Sequence, residues 1–327
     1  MISLKREEKN IAKIFENIST DRIESVTSTT FLGREAILLK TENDYYIVNV
    51  TDLKKEDADF LEEQIAKVTC LEFFDRNGVH SFLPLKFDDK RFKEYHKKEY
   101  EIYKFIATKH LTIKDLTEKQ FKKLANTQAI INNLSVKADI PCSYEEIKSP
   151  SNRKVSRLEK YSPEGFKLIY DYIYTIDDLI TQNNKLLKYA TNILIAGYDN
   201  YNLDNIEWVD DYMYLVDYNN CKLINPSVAL AESAYYFSCL EGGIDFNRYA
   251  KYLQTYLKRS GRLPSDFKEA LLFSQNKKLV NLVDIIEKSN KEKKDYSKEM
   301  IEIIEDLKQF NSNIDKMYAI YLDIVKK

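Results

Sequence analysis

Residues 194–217, LIAGYDNYNLDNIEWVDDYMYLVD, decide how the rest of the chain is read. An apolar strand runs into a polar loop dense in Asp, Asn and Tyr, and two short strands follow, joined by a turn at Asp210 and Asp211 and ending in Asp217. A hairpin of this kind holds acidic and amide side chains at one edge, which suits a hard cation and a phosphate.

Upstream of this stretch the texture is β-rich. Leu4, Ile11, Ile14, Phe15 and Ile18 share one face of a leading helix. Strands are then expected over 23–31, 35–40 and 45–50, with the turn TEND at 41–44 closing a hairpin. From Asp57 the period becomes helical, with Leu61, Ile65, Val68 and Leu71 on one side and Gly78 as a C-cap. Strands return at 81–87, 91–95 and 99–106. After Ala107 the chain reads as helices. Thr117 and Gln120 make a capping box, 135–154 is a long surface loop, and Ser162 and Pro163 open a helix with Phe166, Ile169, Ile173 and Ile180 on one face. Beyond the opening stretch, Pro226 starts a helix ended by Gly242 and Gly243, 246–259 forms another closed by Gly261, and Pro264 starts the next. This order predicts an α+β, two-lobed fold: residues 1–106 as a small antiparallel β lobe with one helix, and 107–327 as a larger helical lobe carrying the loop and hairpin.

Composition excludes several classes. Fifty Lys and Arg against 52 Asp and Glu leave no basic excess for a nucleic-acid surface. The opening MISLKREEKN has no apolar core of a leader and no run is long enough to span a membrane, so a soluble, cytoplasmic protein is expected. Cysteines at 70, 142, 221 and 239 have neither metal-site nor paired spacing and read as buried reduced thiols. Met300, Ile303, Leu307, Phe310, Ile314, Met317, Tyr321 and Ile324 follow a 3,4 spacing, but Ile304, Tyr318 and Val325 widen the stripe and no charge pairs flank it. Packing within the chain is therefore favoured over a dimer seam.

The element order together with NYNLDNIEWVDDYMYLVD (200–217) resembles the kinase-like fold of aminoglycoside phosphotransferases and choline kinases, and within that group looks most like the kinase-like spore coat proteins of the CotS kind. The resemblance spans roughly residues 20–275. It implies a catalytic loop of the form H-x-D-x-x-x-x-N followed by a strand, a turn and a strand ending in Asp, which puts Asn200, Asn205 and Asp217 at the three functional positions. ATP and Mg²⁺ are the implied cofactors. A small-molecule hydroxyl substrate, or assembly partners in a spore coat, are the implied partners.

The chemistry of those positions can be stated from the residues. Phosphoryl transfer needs a carboxylate to take the proton of the attacking hydroxyl, and oxygen ligands that hold Mg²⁺ on the nucleotide phosphates. Asn205 and Asp217 suit the metal. Asn200 cannot serve as the base, because a carboxamide takes no proton near neutral pH. The resemblance further places Asn49 where a phosphate-contacting lysine stands, and Thr29–Gly33 at the phosphate-covering turn with Gly33 its single glycine. Glu62 or Glu63 falls where an ion-pairing glutamate stands, although a solvated helix face explains both as well. A register one residue earlier makes Asp199 the base and Asp204 a metal ligand with Asp217. Three functions stay open: a degenerate kinase-like structural or binding module, a working phosphotransferase using Asp199, and an unrelated helical interaction protein.

Overall fold

The computed structural model describes residues 4–31, 34–53, 58–134, 136–241, 243–261 and 263–326. In chain order the main elements are α1 (Leu4–Phe15), β1 (Ile23–Phe31), β2 (Arg34–Thr41), β3 (Tyr45–Asp52), α2 (Ala58–Arg76), β4 (Lys93–Tyr95), β5 (Lys98–Lys104), α3 (Glu118–Asn133), α4 (Asn152–Tyr161), α5 (Pro163–Asn192), β6 (Ile195–Tyr198), β7 (Ile206–Val209), β8 (Tyr212–Leu215), β9 (Cys221–Ile224), α6 (Pro226–Tyr236), the short pair β10 (Cys239–Leu240) and β11 (Gly243–Ile244), α7 (Phe246–Ser260), α8 (Phe267–Phe273), α9 (Asn276–Glu292) and α10 (Ser297–Val325). They form two compact units. The first comprises residues 1–112, 136–141 and 203–222, and the second 113–135, 142–202 and 223–327.

The first unit is built on an antiparallel sheet in the order β1-β2-β3-β5-β4. Strand alternation divides its side chains between two faces. Ile37, Leu39, Tyr46, Val48, Tyr100 and Ile102 point one way and bury against Ile11, Ile14 and Phe15 of α1. Ala36, Ile47 and Tyr103, with Phe31 and Leu38 beside them, point the other way. The register Ile47↔Tyr103, Asn49↔Glu101 and Thr51↔Glu99 continues that second face from apolar to polar. Glu7 of α1 lies under the first face, where Lys98 and the Tyr100 hydroxyl donate to its carboxylate at 2.7 and 2.6 Å. The hairpin β7-β8 belongs to the same unit, with Asp210 at φ 52° in its turn. Lys109 exchanges backbone hydrogen bonds with Trp208 of β7.

The second unit is helical. One apolar cluster joins Ile169, Ile176 and Ile180 of α5, Leu279, Leu282 and Ile286 of α9, and Met300, Ile304 and Leu307 of α10. The apolar stripe of α10 is thus core, as the width of the stripe led one to expect. The Thr117–Gln120 capping box forms as expected. Gly197 lets β6 approach β9 closely, since a Cβ there would collide with the Ile224 side chain.

Several local expectations fail for identifiable reasons. Residues 81–87 form only isolated bridges at Ser81 and Phe87, because Pro84 interrupts the run and has no N–H for a ladder. The helix from Pro226 stops at Tyr236 rather than at the glycines; a reversal follows, closed by Asp245 N–H to the Ser238 carbonyl at 2.8 Å. Gly242 lies outside the described residues. Pro264 precedes α8 by three residues instead of starting it. The segment 136–151 has no helix or strand, yet it is pinned rather than a free surface loop: Tyr144 and Ile147 are buried, and the Tyr144 hydroxyl accepts from Asn225 N–H at 3.0 Å. Cys70 and Cys221 are buried thiols, but Cys142 is exposed and Cys239 only half-buried. Among the described residues no helix is long and apolar enough to cross a membrane.

Candidate functional site

Asn49, Asn205 and Asp217 all belong to the first unit, Asp199 and Asn200 to the second, and Gly33 lies outside the described residues. In the first unit a short helical turn, Leu203–Asn205, leads directly into β7, which puts Asn205 at the strand entrance. Val216 N–H donates to the Asn205 carbonyl at 3.3 Å, tying that entrance to the end of β8. Asp217 caps the turn that follows: its Oδ1 accepts from the Asn219 N–H at 2.9 Å and the Asn219 side-chain amide at 2.8 Å. The pair expected to bind a metal therefore flanks one hairpin, Asn205 before β7 and Asp217 after β8.

Asn49 shares the polar face of the sheet with a carboxylate that the sequence reading missed. Its amide donates to Glu101 Oε2 at 3.3 Å, and the Tyr103 hydroxyl donates to the same oxygen at 2.8 Å. Tyr218, next to Asp217, donates its hydroxyl to the other oxygen, Oε1. Glu101 is thus buried and engaged on both oxygens. Burial, with Glu101 second, drives the Tyr218 and Tyr103 hydroxyls well above their ordinary range, so both remain donors. Glu99, two residues along on the same face, is 2 % exposed. Burial, then the charges of Glu101 and Glu94, push its carboxyl up to about 7. The pattern KEYEIYK (98–104), with two acids separated by one residue on a strand buried on both faces, is the signal that could have revealed this cluster.

A nucleotide triphosphate fits these residues poorly. The position the resemblance gives to a cation carries an amide committed to a buried carboxylate, with a second carboxylate behind it. Lys67 of α2 is buried, but its ammonium is ion-paired with Glu63 one turn earlier, while Glu62 is exposed. One of the two glutamates expected on a solvated face therefore has a partner. For Mg²⁺, Asn205 and Asp217 are suitable oxygen ligands, although no group of three or more His, Cys, Asp or Glu among the described residues is arranged to hold a metal.

In the second unit β6 delivers Tyr198, Asp199 and Asn200 into a cavity of about 290 Å³ walled by α6, α9 and α10. Asn200 stands at φ 49°, a left-handed conformation that Asn tolerates better than most residues, and its carbonyl accepts from Asn202 N–H at 2.8 Å. Asp199, the alternative base, is buried and ion-paired with Lys277 of α9. The same ammonium binds Glu232 of α6 at 2.8 Å. Burial raises the Glu232 carboxyl, with Lys277 opposing; burial also works against the Lys277 charge, and the two carboxylates outweigh it and keep the ammonium protonated. The Lys277 ammonium thus occupies the Asp199 oxygen that a substrate hydroxyl would have to reach. Lys277 and Lys278 stand in the first turn of α9, where the helix dipole disfavours cations. That placement signals acidic partners elsewhere in the chain, without identifying them.

No family model matches the chain, and no curated protein matches it. Solved structures do. A spectinomycin phosphotransferase in complex with ADP and spectinomycin aligns with a TM-score of 0.63 at 13% identity, covering 96% of this chain and 98% of that one. A choline kinase from Streptococcus pneumoniae aligns at 0.60 and 15% identity, over 94% of this chain and 99% of that one. A GDP complex of an aminoglycoside 2'-phosphotransferase aligns at 0.56 and 13% identity, over 95% and 98%. The fold is therefore kinase-like, with a small antiparallel sheet lobe and a larger helical lobe.

Proposed function

We propose that this chain is a degenerate kinase-like protein that keeps the fold of the aminoglycoside phosphotransferases and choline kinases and acts as a binding or structural component rather than as a phosphotransferase. The observation that carries this reading is the environment of Asn49. Its amide, the Tyr103 hydroxyl and the Tyr218 hydroxyl all converge on the Glu101 carboxylate, so this position presents a buried acid where phosphates call for a cation. Asn200 at the base position and the ion pair on Asp199 support the same reading from the second unit. The resemblance to coat proteins of the CotS kind makes the spore coat the setting we propose, with other coat proteins as partners.

The deciding experiment is a thermal-shift titration of the full chain with ATP and Mg²⁺, run beside a turnover assay. A nucleotide present at 100 times its dissociation constant stabilises a fold by about 2.7 kcal/mol whether or not chemistry follows. The expected result is no saturable shift and no ATP consumption. A magnesium-dependent shift accompanied by turnover that Asp217→Ala abolishes would overturn the proposal. One observation favours a second reading: the spectinomycin and 2'-phosphotransferase structures hold ADP and GDP, and Asn205 and Asp217 offer side-chain oxygens that suit Mg²⁺. On that reading the chain is an ATP- and Mg²⁺-dependent small-molecule phosphotransferase with Asp199 as base, and Asp199→Asn must abolish turnover. For the setting, a fluorescent fusion in a spore-forming host should ring the forespore; a diffuse cytoplasmic signal would count against it.

A further inference from the structure

The cavity of the helical unit contains a second charged group with a different construction from the Lys277 bridge. The Tyr235 hydroxyl donates to Asp306 Oδ1 at 2.7 Å, and Lys278 is ion-paired with Oδ2 of the same carboxylate. The Lys278 ammonium lies 4.5 Å from the centroid of the Tyr235 ring and 5.3 Å from that of Phe310. Those two rings meet edge to face, with centroids 4.7 Å apart and an interplanar angle of 71°. All four residues line the cavity.

Two aromatic faces and one carboxylate around a single ammonium make a recognition site for an organic cation, because the ring quadrupoles and the negative charge act on the same point. Here the cation is covalently part of the chain. Lys278 also enters from the first turn of α9, where the helix dipole opposes it, so the cage must supply the attraction that keeps it in place. Its side chain retains 29 % exposure, so a small solute can reach the same space.

We propose that Lys278 is the built-in occupant of an ammonium subsite formed by Tyr235, Phe310 and Asp306, and is thereby the residue that sets the ligand specificity of this cavity. With Lys278 in place the cavity refuses amine-bearing ligands; with the side chain shortened it accepts a small primary alkylammonium. The proposal does not depend on whether a nucleotide binds, so its failure would leave the reading of the Asn49 cluster untouched.

Propylammonium reproduces the methylenes and charge removed by Lys278→Ala and is the probe. The full-length wild type, Lys278→Ala and Lys278→Ala/Asp306→Asn are titrated by thermal shift and calorimetry, with sodium chloride matching the ionic strength and propanol as the neutral control. The expected result is a saturable rise in Tm and binding heat for Lys278→Ala alone, with neither in the wild type nor in the double variant. An equal response in wild type and Lys278→Ala overturns the proposal, as does a folded Lys278→Ala without saturable response. Should the truncation unfold the chain, NMR of the Lys278 ε-methylene in the intact protein gives the answer. An upfield ring-current shift that Phe310→Leu reduces is expected, and a random-coil shift overturns the proposal.

Discussion

Replacing Glu99 by glutamine tests the acidic face of the sheet directly. Glu99 lies on β5 opposite Glu94 of β4, is 2 % exposed, and has Glu101 two residues away on the same face. Burial first, and these two charges after it, lift its carboxyl from 4.5 to about 7. The folded state therefore keeps a proton that the unfolded chain releases near pH 4.5. Between those values the folded protein binds more protons than the unfolded one, so stability must fall as pH rises through the window and level off above it. The span corresponds to about 3 kcal/mol at most, and relaxation around the charged form reduces this to about 2 kcal/mol. Glutamine has the same shape and cannot ionise, so the variant should lack this slope.

The measurement is urea denaturation at pH 5 and pH 8 followed by tryptophan fluorescence. The chain has a single tryptophan, Trp208, which is buried in the same unit as Glu99 and so reports that unit's unfolding. Glu99→Gln should be more stable than wild type by about 2 kcal/mol at pH 8 and nearly equal to it at pH 5. An equal difference at both pH values, or a variant less stable at pH 8, would refute the claim that this carboxyl is held neutral by burial.

Two further outcomes test the second unit. Lys277→Ala leaves Asp199 and Glu232 facing each other without a counter-ion and should cost about 2–4 kcal/mol by thermal or chemical denaturation, with Asp199→Asn/Glu232→Gln added on top recovering part of the loss. Gly197→Ala forces a methyl group into the Ile224 side chain and should cost about 1–3 kcal/mol, partly relieved by Ile224→Val, as read from the urea midpoint.

The parts of the fold that could be read from the sequence are those dictated by neighbours in the chain. The apolar period of α5, the capping box at Thr117 and the alternation of β2 and β3 depend on side chains a few positions apart, and each formed where expected. Residues 81–87 have the apolar content of a strand, but Pro84 brings no N–H to a ladder. Glycines at 242 and 243 signal a stop for α6, whereas the chain already reverses after Tyr236 through the Ser238–Asp245 hydrogen bond. In the candidate site, spacing along the chain groups the loop residues with one another but says nothing of their partners. Glu101 reaches Tyr218 across 117 positions, and Lys277 reaches Asp199 from a different helix. No local pattern encodes a contact of that separation.

Those long-range partners bear on the proposed loss of phosphoryl transfer more than the substituted positions do. A lost lysine or a lost aspartate is a single change that a back-substitution can in principle reverse. Here each position is held by a group of opposite character. An ammonium introduced by Asn49→Lys would face Glu101 first, and Glu99 lies two residues farther along the same strand face. Likewise, the carboxylate already present at Asp199 is bridged by Lys277, whose charge is shared with Glu232 and is held in place by both acids. At Asp199 the Lys277 ammonium occupies the carboxylate oxygen that a substrate hydroxyl would have to reach. On the proposed reading, restoring chemistry would therefore require changing the partners along with the positions themselves, and the present residues are mutually stabilising parts of a kinase-like scaffold put to another use.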